Sequence, residues 1–249
     1  LGLSIDETFC FDAFADRVAE VIDKTVNVDR LLELCTVEFS GEQTEGVICS
    51  GNRKIAIARD EAFNFMYREN VEALKRAGEV VFFSPLRDKR LPDADLVYFP
   101  GGYPELHLPE LAANEGMRQA VRKYCETGGR VLAECGGMMY LCDTITSDDG
   151  KVYPMAGVLK QGATMEQMKL KLGYREVRVN GQRIRGHEFH YSRILPGHEK
   201  IPVIGTIYNA KDMVVDTPVY TYKNVLASYI HFYWGECGID HFLMLMSQK

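Results

Sequence analysis

Residues 128–141 read GGRVLAECGGMMYL. A glycine pair, an apolar run of strand length, a cysteine, a second glycine pair and large apolar residues follow one another without a break. This pattern predicts a buried strand, RVLAE, running straight into a helix, GGMMYLCD, with Cys135 at the junction. A sharp strand-to-helix turn carrying a nucleophile is an elbow, strained and crowded at the reactive residue. Gly136 and Gly137 supply the room that such a backbone needs. The helix N-terminus beneath the sulfur favours a thiolate, through its dipole and free N–H groups. In an open parallel sheet the turn falls at the carboxyl ends of the strands, where ligands bind. The competing reading is a buried structural cysteine, since free cysteine is among the most buried residue types.

The same alternation continues on either side. KIAIARD (54–60), EVVFFSPL (79–86) and ADLVYFPGG (94–102) read as short buried strands. NFMYRENVEALKRAG (64–78) reads as an amphipathic helix closed by glycine, and residues 109–129 as a helix ending in Gly128-Gly129. Strands alternating with helices predict an α/β fold with a mostly parallel central sheet flanked by helices. After Cys142 the pattern shifts to antiparallel hairpins. Asp149-Gly150 is a turn signal, residues 172–195 alternate around Asn180-Gly181, and residues 214–234 continue as strands. GIDHFLMLMSQ (238–248) reads as a short closing helix.

Toward the other end, residues 1–35 carry helical periodicity with a break near Asn27, and residues 36–52 are polar and glycine-containing. That change places the domain boundary, with residues 1–50 as a helical tail plus linker and 51–249 as the main domain.

Composition limits the class of function. The chain has 249 residues, 46% hydrophobic and 26% charged, ordinary for a globular protein with a sizeable core. A formal net charge of −6 and no basic run argue against nucleic acid as a partner. No apolar stretch reaches membrane-spanning length, and the start, LGLSIDETFCFD, lacks a basic leader. A first residue that is Leu rather than Met reads as a piece of a longer protein. Seven cysteines without a CxxC pair argue against a disulfide framework and a zinc site, and point to the reducing cytoplasm.

A cysteine nucleophile needs an oxyanion hole and a base. YFPGGYPE (98–105) offers the hole, because Gly101 and Gly102 let backbone N–H groups approach a ligand. Six histidines compete for the base. His231 ends the apolar run LASYIHFYW, while His187 and His190 flank Glu188 in RGHEFHYS, and His190 is the main competitor. His107, His198 and His241 lie in loop-like text. A metal held by His187, Glu188 and His190 is disfavoured, because positions i and i+3 of a strand point to opposite faces.

Taken in order, the PGG loop, GGRVLAECGGMMYL, GHEFHYS and SYIHFYW resemble the class I glutamine amidotransferase domain, over roughly residues 50–240. The resemblance is greatest to the branch found in cobyrinic acid a,c-diamide synthase and cobyric acid synthase, most of all the former. It implies a flavodoxin-like domain, with residues 1–35 similar to the tail of a preceding synthetase domain. It also implies glutamine as substrate, Cys135 as nucleophile and His231 as its partner. Backbone N–H groups around Gly101, Gly102 and Gly136 would hold the oxyanion, and His190 would stand near the glutamine. Where ordinary members have a glutamate two residues after the histidine, this chain has Tyr233, so a Cys–His dyad is expected, with Glu236 a weak candidate to orient the imidazole.

No cofactor is expected in this chain itself. It has no GxxxxGK[ST] phosphate loop, so ATP and Mg²⁺ are expected only in the longer enzyme. Ammonia there would amidate a corrinoid or related tetrapyrrole carboxylate, nickel-sirohydrochlorin being an alternative acceptor, and a homodimer is compatible. The rival functions are another cysteine hydrolase on the same sheet, such as a peptidase or deglycase, and a non-catalytic docking module.

Overall fold

The computed structural model describes residues 11–37, 52–235 and 239. The chain divides into two compact units, Leu1–Val47 and Ile48–Lys249.

The first unit holds α1 (Phe11–Thr25) and α2 (Val28–Cys35). The periodicity breaks at Asn27 because its carboxamide accepts from the Arg30 N–H and caps α2. Neither helix buries a residue. The expected linker lies mostly outside the described residues.

In the second unit the chain runs β1 (Arg53–Ala58), α3 (Arg68–Ala77), β2 (Gly78–Phe83) and β3 (Leu96–Phe99). It continues through α4 (Leu108–Ala113), α5 (Glu115–Glu126), β4 (Arg130–Glu134) and α6 (Gly136–Leu141). Next come β5 (Cys142–Thr146), β6 (Val152–Pro154), β7 (Leu159–Thr164), β8 (Lys171–Val179) and β9 (Gln182–His190). The last are β10 (Arg193–Leu195), β11 (Thr206–Asn209), β12 (Val214–Val215), β13 (Val219–Tyr222), β14 (Val225–Ser228) and β15 (Ile230–Phe232).

The central sheet has six strands in the order β13-β14-β4-β3-β1-β2. All are parallel except the edge strand β13. Read by chain order, the five parallel strands give 2-1-3-4-5, the flavodoxin-like arrangement that the sequence predicted. Both faces of the inner strands β1, β3, β4 and β14 are covered, which explains their short apolar runs, whereas the edge strand β2 is partly exposed. Ile55, Ile57, Leu96, Tyr98 and Leu132 face one core. Their alternating neighbours Ala56, Val97, Phe99, Val131 and Ala133 face the other. Fully burying each large side chain contributes about 1.5–3 kcal/mol.

Leu108, Leu111, Met117, Val121 and Met138 of α4, α5 and α6 close the second of these cores, joined by Ile145 and Leu159 from the sheet β10-β7-β5-β6. Ala73 and Leu74 of α3 close the first, with Val177, Ile184, Ile207 and Phe232 from the antiparallel sheet β12-β11-β8-β9-β15. The β8–β9 turn is the expected Asn180-Gly181 hairpin, both residues at positive φ, 50° and 76°.

Three local expectations are corrected, and the glycine expected to close α3 does so with a further role in the sheet. Residues 64–67 are not helical, because the Phe65 N–H bonds the Gly101 carbonyl instead. Gly78 ends α3 in an extended conformation, and its lack of a side chain serves the sheet: a Cβ there would stand 2.1 Å from the Arg53 carbonyl oxygen. The helix expected over 109–129 is two, parted at Asn114, which caps α5 and donates to the Pro85 and Asp88 carbonyls. Cys142 belongs to β5 rather than to the helix before it. The closing helix over 238–248 lies outside the described residues. Among the described residues no helix is long and apolar enough to cross a membrane.

Candidate functional site

Three adjacent parallel strands deliver the site from their carboxyl ends. β3 ends at Phe99 and enters Pro100-Gly101-Gly102, β4 ends at Glu134 and enters Cys135, and β14 ends at Ser228 and turns through Tyr229 into β15, which carries His231. Parallel pairing of β3 with β4 and of β4 with β14 brings the three exits to one edge. The PGG loop and the elbow therefore adjoin, as the order of motifs required.

Cys135 has φ 47° and ψ −107°, a conformation costly for a residue with a Cβ. Its N–H bonds the Ser228 carbonyl at 2.8 Å, and the Gly137 N–H bonds the Pro100 carbonyl at 3.1 Å. These bonds over-determine the turn. A Cβ at Gly136 would lie 2.7 Å from Pro104 Cδ and 3.1 Å from the Gly102 carbonyl oxygen, so elbow and loop pack backbone to backbone. Among the described residues neither the Gly102 nor the Gly136 N–H donates to a backbone carbonyl. The Gly136 N–H faces the Cys135 sulfur and Gly102 packs against Gly136, an arrangement of backbone donors of the kind an oxyanion hole requires.

Burial, reinforced by Glu105, pushes the Cys135 thiol well above its ordinary value, and the Gly136 N–H opposes this only in part. The expectation of a standing thiolate is corrected. α6 is a six-residue helix in an apolar setting, and desolvation of the sulfur outweighs its dipole. The resting group is a thiol, and its activation needs a base.

His231 is 4% exposed. Its imidazole stacks on His187 with centroids 4.8 Å apart and takes Phe65 edge-on at 4.6 Å. Gly101 lies beneath it, where a Cβ would come within 2.2 Å of Cε1. This is the physical reason for the first glycine of PGG. Burial, with smaller contributions from His187 and His190, holds His231 down at about 3, so the ring is neutral in the empty site, and taking up a proton there requires the imidazolium to gain a stabilising partner. His187 is held in turn by the Tyr67 hydroxyl at Nδ1.

Glu134, immediately before the nucleophile, is 1% exposed and is pushed up to about 8 by burial. It accepts from the Tyr98 hydroxyl at 2.8 Å and from the Phe232 N–H at 3.2 Å, and its Oε2 lies 4.0 Å from His231 Nδ1.

His190 faces the other way from His187. Its Nε2 meets Glu188 Oε1 at 2.8 Å, its Nδ1 meets the Ser192 carbonyl at 2.7 Å, and its ring stacks on Tyr229. Glu188 also accepts from Arg175 and Thr217, which together with His190 hold its carboxyl down at about 2 against the cost of burial. Glu188, His190 and Tyr229 line one wall of a cavity of about 450 Å³. Neither this cavity nor one of about 530 Å³ beside Arg178, Arg183 and Glu176 is lined by Cys135 or His231.

The structure thus brings Cys135, Gly101, Gly102, Gly136 and His231 to one place and commits His190 to an internal network. Tyr233 stands where the glutamate of ordinary relatives would be, packed on Tyr67, and its N–H bonds the Arg185 carbonyl. Glu236 lies outside the described residues. The sequence reading missed Glu134, Phe65, Tyr67 and the use of His187. Of these only Glu134 left a signal, as a carboxylate inside an otherwise apolar strand.

This fold and site define a class. A solved glutamine amidotransferase superposes on 78% of this chain and 99% of its own with a TM-score of 0.50 at 23% identity, which establishes the shared fold. Residues 54–237 match the CobB/CobQ-like glutamine amidotransferase domain, and the chain belongs to that family. It is 34% identical to the cobyrinate a,c-diamide synthase of Salmonella typhimurium, over 88% of this chain and 50% of that protein. It is 37% identical to the hydrogenobyrinate a,c-diamide synthase of Pseudomonas aeruginosa, over 94% and 53% respectively. The chain spans about half the length of these curated relatives.

Proposed function

We propose that this domain hydrolyses glutamine and supplies ammonia to a synthetase partner that amidates the a and c carboxylates of a corrinoid. The observation that carries the reading is the placement of Cys135 on a strained elbow packed against the PGG loop, whose Gly101 lies against the buried ring of His231.

His231 takes the Cys135 proton as sulfur attacks the side-chain amide carbon of glutamine. The developing oxyanion is met by the Gly102 and Gly136 N–H groups. Collapse breaks the carbon–nitrogen bond, and the imidazolium returns its proton to the departing ammonia. Water, deprotonated by the same imidazole, then cleaves the thioester, releasing glutamate and restoring the thiol. His190, both of whose ring nitrogens are spent on Glu188 and Ser192, shapes the pocket wall.

The acceptor reading rests on the relatives, whose names divide between cobyrinate and hydrogenobyrinate. ATP and Mg²⁺ would be held by the synthetase part, to which residues 1–50 would be the approach. The test is intact-protein mass spectrometry after incubation with diazo-oxo-norleucine, whose carbon is attacked by sulfur with loss of dinitrogen. The expected result is one adduct on Cys135, absent in Cys135→Ala and slowed in His231→Ala. No adduct on either this chain or its complex with the synthetase part would sink the glutaminase reading.

A further inference from the structure

The dyad expected from the sequence leaves the base without a partner for its second nitrogen. Among the described residues, His231 Nδ1 is buried and has no hydrogen-bond partner. A neutral imidazole that accepts a proton at Nε2 must carry its own proton on Nδ1, and a buried N–H without an acceptor is costly. The ionisable oxygen facing that nitrogen is Glu134 Oε2, at 4.0 Å.

We propose that Glu134 is the positioning residue of the site, accepting the Nδ1–H of His231 and so fixing the tautomer whose Nε2 takes the Cys135 proton. This rests on the glutaminase reading above. Four observations support it. The carboxyl is buried and pushed up to about 8, so holding it ionised at neutral pH needs a further donor, and the His231 Nδ1–H faces it. Tyr98 donates to Oε2 and the Phe232 N–H to Oε1, which fixes the carboxyl with Oε2 toward His231. The Phe232 bond also ties Glu134 to the residue beside His231, so carboxyl and imidazole move together. Finally, strand alternation sends residue 134 to the face that β15 covers, while the elbow swings residue 135 toward the PGG loop. Nucleophile and positioning group are thereby consecutive in sequence, yet they reach the base from different sides. Catalytic contacts are commonly long in an unliganded site and tighten on binding, and 4.0 Å is within that range of closure.

In proton balance, the Cys135 sulfur–hydrogen bond breaks, Nε2 gains that proton, and the Nδ1–H stays in place, donating to Oε2. In Glu134→Gln one carboxyl oxygen becomes an NH₂. The Phe232 N–H requires the remaining oxygen, so the NH₂ faces Tyr98 and Nδ1. That arrangement favours the Nε2–H tautomer, which cannot receive the thiol proton. Where a catalytic histidine is turned to the wrong tautomer in this way, kcat falls by up to about 10⁴-fold.

The experiment is ¹⁵N NMR of His231 in the full chain, assigned by comparison with His231→Gln, together with glutaminase kinetics of wild type and Glu134→Gln. The expected wild-type spectrum shows the proton on Nδ1. Glu134→Gln is expected to move it to Nε2 and to lower kcat about 10²- to 10⁴-fold with KM little changed. A wild-type Nε2–H tautomer, an unchanged tautomer in Glu134→Gln, or an undiminished kcat would each overturn the proposal. Should wild type lack glutaminase activity while the spectra behave as expected, the glutaminase reading fails and the positioning of His231 by Glu134 stands.

Discussion

At the scale of single residues, the site is built by removing side chains as much as by placing them. Gly101 is the sharpest case, because its missing Cβ is the space that the His231 ring occupies. Gly101→Ala is expected to displace the imidazole and cost about 10²-fold in glutamine turnover, as small misplacements of a catalytic group do. Circular dichroism and kcat on the same preparation check this, and an unchanged kcat would refute the contact. His231 also couples folding to acidity. Its folded value of about 3 lies below the ordinary 6.5, so between those pH values the unfolded chain binds more protons. The stability is fully present above pH 6.5 and is lost as pH falls toward 3. Urea midpoints of His231→Gln across this window are expected to fall less steeply with acid than those of wild type.

Individual elements show local chemistry and packing at odds in places. The β8–β9 hairpin is set by its turn. A Cβ on Gly181 meets no atom within 4 Å, so Gly181→Ala would pay for its φ of 76° alone. The expected cost is about 1–2 kcal/mol, measured by the urea midpoint. Asn114 is different, since its carboxamide is 2% exposed and serves a helix cap and two loop carbonyls together. Asn114→Ala should cost about 1–3 kcal/mol, above an ordinary cap, because the Pro85 and Asp88 carbonyls lose their donor. Equal costs for Asn114→Ala and an exposed cap such as Asn27→Ala would show that those loop bonds contribute nothing.

The whole molecule makes the site depend on strand interiors that lie away from it. Leu132 is fully buried in the middle of β4, two residues before Glu134 and three before Cys135. Leu132→Ala is expected to destabilise the fold by about 2–5 kcal/mol. It should also slow labelling of Cys135, because β4 aims the elbow, and a destabilised variant labelled at the wild-type rate would separate core from site. The second unit supplies every residue of the site, and the six-stranded sheet lets β3, β4 and β14 open at one edge.

The sequence by itself determined the alternation of buried strands and helices, the elbow at Cys135, the PGG loop and the Asn180-Gly181 hairpin. Each of these is written in neighbouring residues: period, glycine placement and turn chemistry act over a few positions. By resemblance it also singled out His231 over His190. Only the tertiary structure decided what surrounds those groups. The strand that carries His231 leaves the central sheet after Ser228 and pairs with β9, a contact between residues some forty positions apart that no local pattern encodes. The same is true of the burial that keeps Cys135 a thiol and His231 neutral, and of Glu134 reaching the imidazole. Desolvation and partner distance are properties of the packed interior, and they exist only once strands distant in sequence have closed over one another.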